Sequence, residues 1–387
     1  MTKINNSLRL DEIPPSGIRK MFARAQGVPG VISLGIGQPN IPTPEGLVNA
    51  LVNRVKNGDN YYSNTKGTTK YLDAIAEQNK RDYNLDYDPK TNILATASGC
   101  EALYVALMSF VNPGDEVLLP DPSFLTYPRQ IRLAGGIPVW MKPTSELKID
   151  TSDLQNKITD KTKVIMLNFP SNPTGEIMTA SELKPIIDLA NDNDLLILTD
   201  EVYEKCIFTD DKHIRVPKLN GAYDRTLLLN SFSKTLCVPG WRIGYAAGPK
   251  ELIDPMVKMH SFVVANAPSA QQNAIGEFLN TKEADVFTKK LRDTLKERME
   301  KIVVGFNSVD GFNCRKPKGS FYAFPNVTKH KDYTTSWELC EKIFDEQKVA
   351  LVPGLEFGPA GEGYLRASFG SLSLDEIDET IKRLKLI

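Results

Sequence analysis

The chain has 387 residues, with 47 Lys and Arg against 48 Asp and Glu, for a net charge of −1. That length suits two domains better than one core. The charge balance gives no support for nucleic acid or an anionic membrane as a partner, and no apolar run approaches the length of a membrane span.

Residues Met1 to Asn6 lack the apolar stretch of a signal peptide. The segment up to about Thr43 is rich in Pro and Gly and is expected to pack on a C-terminal unit. Its Gly35-Ile36-Gly37 is no dinucleotide fingerprint, because no third glycine or helix follows and Pro39 intervenes. Thr96-Ala97-Ser98-Gly99-Cys100-Glu101 leads from a strand into an apolar helix predicted over Ala102 to Val111. The N–H groups at such a helix start suit a phosphate.

Val117–Leu119, Val164–Leu167, Leu195–Leu198 and Thr226–Leu229 read as fully buried strands. A helix is predicted from Thr179 to Asn193, with Leu183, Ile186, Ile187 and Ala190 on one face. Beyond about Lys250 long helical patterns take over. Strand-like Phe321–Phe324, a helix around Trp337 to Glu346, and Leu365-Arg366-Ala367-Ser368-Phe369 follow. The expected fold is α/β: a mostly parallel sheet covered by helices on both sides, with a smaller α+β domain. Residues 44–280 are assigned to the large domain, and 1–43 with 281–387 to the small one.

Five cysteines (100, 206, 237, 314 and 340) are scattered with no Cys-x-x-Cys, a pattern that fits reduced cytoplasmic thiols. Three histidines (His213, His260, His330), none paired at ligand spacing, give no reason to expect a catalytic metal.

The chemistry gathers where buried strands end. Open α/β sheets bind ligands beyond the carboxyl ends of their strands. Asn168 leads from one such end to Asn172, Asp200 closes another, and Ser231 and Lys234 follow a third. A lysine stripped of water beside a second cation loses affinity for its proton. Arg242, eight positions on, is a candidate for that cation. A neutral amine can form an imine with a carbonyl, and Arg242 can hold an anion attached to it. Pyridoxal phosphate is an aldehyde with a phosphate. Asp200, ending an apolar strand, calls for a cationic partner such as a pyridinium nitrogen; a helix N-cap is the plain alternative. Arg366 stands alone among apolar residues and calls for an anion, either a substrate carboxylate or an internal salt bridge.

From Leu34-Gly35-Ile36-Gly37-Gln38-Pro39 through Tyr62, Asn172-Pro173-Thr174-Gly175 and Asp200-Glu201-Val202-Tyr203 to Lys234, Arg242 and Arg366, nearly the whole chain resembles class I/II aminotransferases dependent on pyridoxal 5'-phosphate. It is most similar to archaeal and bacterial aspartate and aromatic enzymes. The resemblance implies amino transfer between an L-amino acid and a 2-oxo acid, expected to be 2-oxoglutarate, by a ping-pong Schiff-base route. It implies Lys234, Asp200 and Tyr203 as catalytic residues. For the cofactor it implies Gly99, Cys100, Glu101, Ser231, Ser233 and Arg242 at the phosphate, Asn172 and Tyr203 at the phenolic oxygen, and Phe124 on the ring. A core role is the alternative for Phe124. Tyr62 matches a tyrosine that reaches the neighbouring subunit's phosphate, so a homodimer with shared sites is expected; a surface tyrosine is the alternative, and Tyr61 is the rival in register. Gly37, Asn172 and Arg366 match the substrate-carboxylate site.

Some aspartate-specific relatives carry a lysine where Cys100 stands. This tilts the expected donor toward aromatic or broad, unless Lys66, Ser16 or a partner subunit supplies the charge. The same residues serve carbon–sulfur lyases, the rival reaction. A regulator built on this fold would bring a DNA-binding extension, and the sequence offers none.

Overall fold

Runs of β-branched and aliphatic residues, apolar on successive positions, can only be buried on both faces, so helices must cover both sides of the sheet they form. The computed structural model describes residues 7–387 and bears this out. Its strands are β1 (Ile32–Ser33), β2 (Ile93–Thr96), β3 (Glu116–Pro120), β4 (Ile137–Met141), β5 (Thr162–Asn168), β6 (Leu196–Asp200), β7 (Thr226–Ser231), β8 (Gly244–Ala247), β9 (Tyr322–Ala323), β10 (Val349–Ala350), β11 (Val352–Pro353) and β12 (Leu365–Ser368). Seven of them form one sheet in the order β2-β8-β7-β6-β5-β3-β4. β8 runs antiparallel to both its neighbours, and the remaining pairs are parallel.

Alternate residues of these strands feed different cores. Val117, Leu119, Val164, Met166, Leu198 and Leu227 pack against Ala102, Leu103 and Ala106 of helix Gly99–Phe110. Leu118, Ile165, Leu167 and Ile197 pack against Leu183, Ile186, Ile187 and Ala190 of helix Ala180–Asp192. Thr179 caps that helix, and Glu182 returns the bond in a capping box, so its start lies where the sequence put it. Helix Gly99–Phe110 begins three residues before the predicted Ala102, because the Ser98 hydroxyl accepts from the Glu101 N–H and sets the cap at Ser98.

Helices Lys282–Phe306, Ser336–Gln347 and Leu374–Leu384 share a core with β9 and β12. The segment before Thr43 joins this part. β1 pairs in parallel with β10, Met21 packs on Phe344 and Ala350, and Arg24 holds Asp345 at 2.6 Å. Residues Met1 to Asn6 lie outside the described residues. No helix among the described residues is long and apolar enough to cross a membrane.

Candidate active site

The parallel strands end at one edge of the sheet, and that register gathers the site. Asn168 pairs with Asp200 across β5 and β6, and Ser231 pairs with Gly244 across β7 and β8. β2 ends at the same edge and turns into helix Gly99–Phe110.

Lys234 follows β7 in a short helix, Phe232–Thr235. Its ammonium donates to the Gly37 carbonyl at 2.5 Å and forms no ion pair among the described residues. Burial draws it down to about 8. Arg366 and Arg242 push the same way, while Cys100 and Asp200 oppose them. The sequence had named Arg242 as the neighbouring cation, yet Arg366 acts more strongly. Arg242 is exposed, sits in left-handed backbone at φ 53°, and donates to the Pro239 carbonyl at 2.8 Å.

Asp200 lies at the foot of this edge. The Tyr127 hydroxyl donates to its Oδ2 at 2.8 Å and the Val202 N–H to its Oδ1 at 3.2 Å. No helix starts there, so the N-cap alternative falls away. Burial pushes the carboxyl up to about 6 against those two bonds. The Asn168 amide donates to the Asp200 carbonyl at 3.0 Å and its oxygen accepts from the Asn172 N–H at 3.0 Å, fixing both loops together.

Arg366 is 1% exposed. It donates to the Gly35 carbonyl at 2.6 Å and to Asn172 Oδ1 at 3.3 Å, and its guanidinium lies over the rings of Tyr322 and Phe357. Among the described residues no carboxylate pairs with it, and its Nε has no partner. The internal salt bridge weighed from the sequence is therefore absent among them. A fully buried cation without an anion is costly unless a ligand supplies one. The Tyr203 hydroxyl pairs with that of Tyr322 at 2.9 Å, which brings Tyr203 beside the same guanidinium.

Across from Lys234, the first N–H groups of helix Gly99–Phe110 have no intrahelical acceptor. A Cβ added at Gly99 would sit 3.6 Å from that of Ser231, so the two loops face each other closely. Ser231 and Ser233 are buried, whereas Cys100 is exposed. The Glu101 carboxylate turns away to His260 Nδ1 and the Ala97 N–H, while its own N–H donates to the Ser98 hydroxyl. Phe124 packs edge-on to Tyr127 at 5.6 Å.

Tyr62 is not brought to this group. It is 88% exposed, and neighbouring Tyr61 is 82% exposed. Lys66 donates to the Lys90 carbonyl and lies 3.7 Å from Asp254, so its charge is engaged there. Sequence reading assigned no role to Tyr127 or Tyr322. Tyr127 could have been found, since it falls three residues after Phe124 in the first turn of helix Thr126–Leu133, and the two rings meet.

A family model for aminotransferase class I and II matches residues 29–384. The chain belongs to this family. It is 36% identical over 383 residues to the aspartate aminotransferase of Pyrococcus abyssi, covering 98% of this chain and 97% of that one. It is 35% identical over 389 residues to aromatic-amino-acid aminotransferase 2 of Thermococcus litoralis, covering 98% and 99%. The crystal structure of the aromatic aminotransferase of Pyrococcus horikoshii superposes with a TM-score of 0.89 at 33% identity, covering 95% of this chain and 98% of that one. The chain is an aminotransferase with the fold of that family.

Proposed function

We propose that this aminotransferase works with pyridoxal 5'-phosphate joined to Lys234 and moves amino groups from aromatic or a broad range of L-amino acids to 2-oxoglutarate. The observation that carries the proposal is a partly buried amine drawn down to about 8 beside a buried guanidinium that no carboxylate answers among the described residues.

The residues fit the cofactor. The first-turn N–H groups of helix Gly99–Phe110, at Gly99, Cys100 and Glu101, with Ser231, Ser233 and Arg242, would hold the phosphate. Asp200 would pair the ring nitrogen, Asn172 and Tyr203 would face the phenolic oxygen, and Phe124 would cover the ring. Bound there, pyridoxal phosphate supplies a carbonyl that condenses with amines and a ring that takes up negative charge.

The rest is the work of the chain. Arg366 grips the substrate α-carboxylate, with Asn172 and the Gly37 backbone beside it. Lys234 Nζ, released when the incoming amine replaces it, would move a proton from the substrate Cα to the cofactor side in the first half-reaction and in the opposite direction in the second. Asp200 keeps a negative charge opposite the ring nitrogen, and Tyr127 holds its carboxylate in place. Tyr203 is steadied by Tyr322.

We also propose a homodimer in which Tyr62 completes the partner's phosphate site. Exposed Val48, Val52 and Val55 form a stripe on helix Glu45–Lys56, and Tyr61, Tyr62 and Phe262 are exposed as well. An apolar surface of that kind supports a second copy as its cover. The division into residues 44–280 and 1–43 with 281–387 is retained as the domain proposal, and the five free cysteines support a cytoplasmic setting.

For the donor, the wall around Arg366 is aromatic, with Tyr322, Phe357 and Phe324 close by, and the neutral Cys100 offers no charge to an acidic side chain. The test is a panel of amino donors with 2-oxoglutarate. Higher kcat/KM for phenylalanine or tyrosine than for aspartate is expected. Aspartate preferred by orders of magnitude would overturn the donor assignment.

A further inference from the structure

One carboxylate ties three separate parts of the chain together at the aromatic wall of the Arg366 pocket. Glu356 Oε2 accepts from the Gly17 N–H at 2.8 Å and from Arg129 Nη2 at 3.4 Å. Gly17 opens helix Gly17–Ala25, Arg129 lies on helix Thr126–Leu133, and Glu356 lies in the turn Gly354–Phe357. The approach is close: a Cβ at Gly17 would fall 2.2 Å from Glu356 Cδ. Arg129 also holds the Leu125 carbonyl at 2.7 Å and the Pro14 carbonyl at 3.4 Å. Both partners of the ion pair are largely covered, with side chains 16% and 14% exposed.

This knot adjoins the substrate end of the site. The residue after Glu356 is Phe357, whose ring carries the Arg366 guanidinium at 4.9 Å and whose carbonyl accepts the Ser123 N–H at 2.7 Å. Leu125 and Phe324 pack on the same ring. Arg129 is thus a sheltered cation neutralised by Glu356, the sequence neighbour of the Phe357 ring that carries the Arg366 guanidinium.

We infer that Glu356 is a specificity-determining residue: by occupying Arg129 it denies acidic side chains a cation and leaves the wall to neutral ones. The inference rests on the proposed role of Arg366 in holding the substrate carboxylate. It deepens that reading by naming the group that selects against dicarboxylates.

The test uses the cofactor-loaded enzyme and two inert ligands, succinate and 3-phenylpropionate, with Kd from calorimetry. Glu356→Gln keeps an acceptor for Gly17 and removes the charge. It should tighten succinate by about tenfold while changing 3-phenylpropionate by less than about threefold. Adding Arg129→Met to Glu356→Gln should abolish the gain. Because the ratio of the two dissociation constants cancels any change in the folded fraction, a partly unstable variant still reports. A succinate-to-phenylpropionate ratio unchanged in Glu356→Gln overturns the inference, and so does a double variant that gains as much as the single one. Arg366→Lys separates the two layers. If it leaves both ligands unaffected, the carboxylate reading falls and the inference with it. If it weakens both while Glu356→Gln does nothing, only the role of Glu356 falls.

Discussion

The Tyr127 hydroxyl donates to Asp200 Oδ2 at 2.8 Å, and this bond joins the helix after β3 to the end of β6. A hydrogen bond to a charged group is worth about 1.5–3 kcal/mol. Tyr127→Phe should therefore lower kcat by roughly tenfold to a hundredfold, with the donor KM little changed. Steady-state kinetics would read it. An unchanged kcat would mean that Asp200 holds its place without this donor.

Lys234 carries a pH signature. With a value drawn down to about 8, roughly a tenth of the amine is neutral at pH 7, against about one part in three thousand for an ordinary lysine. The rate at which the cofactor-free chain takes up pyridoxal phosphate should rise with pH and level off above about 8. Arg366→Leu removes a neighbouring cation and should move that midpoint upward. A midpoint near the ordinary lysine value in the unmodified chain would contradict the burial argument.

Asp200 should cost the cofactor-free chain stability. Its folded value of about 6 lies above the ordinary 3.8. The native state therefore binds more protons between those limits, and the contribution of this group is lost as pH rises through about 6. Asp200 is only partly buried by surface area, so on the order of 1–2 kcal/mol is at stake above pH 6. Asp200→Asn should raise the Tm of the cofactor-free chain at pH 8 by roughly 2–4 °C per kcal/mol recovered, have little effect at pH 4, and abolish turnover. Differential scanning calorimetry at the two pH values checks the sign.

Behind Asp200 lies a buried ion cluster. Arg215 is bound by Glu201 at 3.1 Å and by Glu204, and Glu201 also accepts from His213 at 2.5 Å. Arg215→Met would strand two buried carboxylates and should cost about 3–5 kcal/mol in urea unfolding at pH 8. A loss under about 1 kcal/mol would mean that His213 and water take over the charge.

The fold was readable because its signal is local. Val164–Leu167, Leu195–Leu198 and Leu227–Leu229 are apolar on every position, and only burial on both faces explains that. The polar residues that end those runs, Asn168, Asp200 and Ser231, follow from the same pattern. What was missed depends on contacts between distant residues. Tyr322 reads as an ordinary strand tyrosine until the chain brings it to Tyr203 and Arg366, 119 positions from the first. Arg366 outweighs Arg242 beside Lys234 for the same reason: proximity in sequence favoured Arg242, while the fold exposes it. The partners of Glu356 carry no sequence signal, because Gly17 and Arg129 are 339 and 227 positions away.

The most direct measurement is borohydride reduction of the purified chain after incubation with pyridoxal phosphate, followed by peptide mass spectrometry. The account predicts a single reduced adduct on Lys234, lost together with turnover in Lys234→Ala. A label confined to another lysine, or none at all, would contradict it.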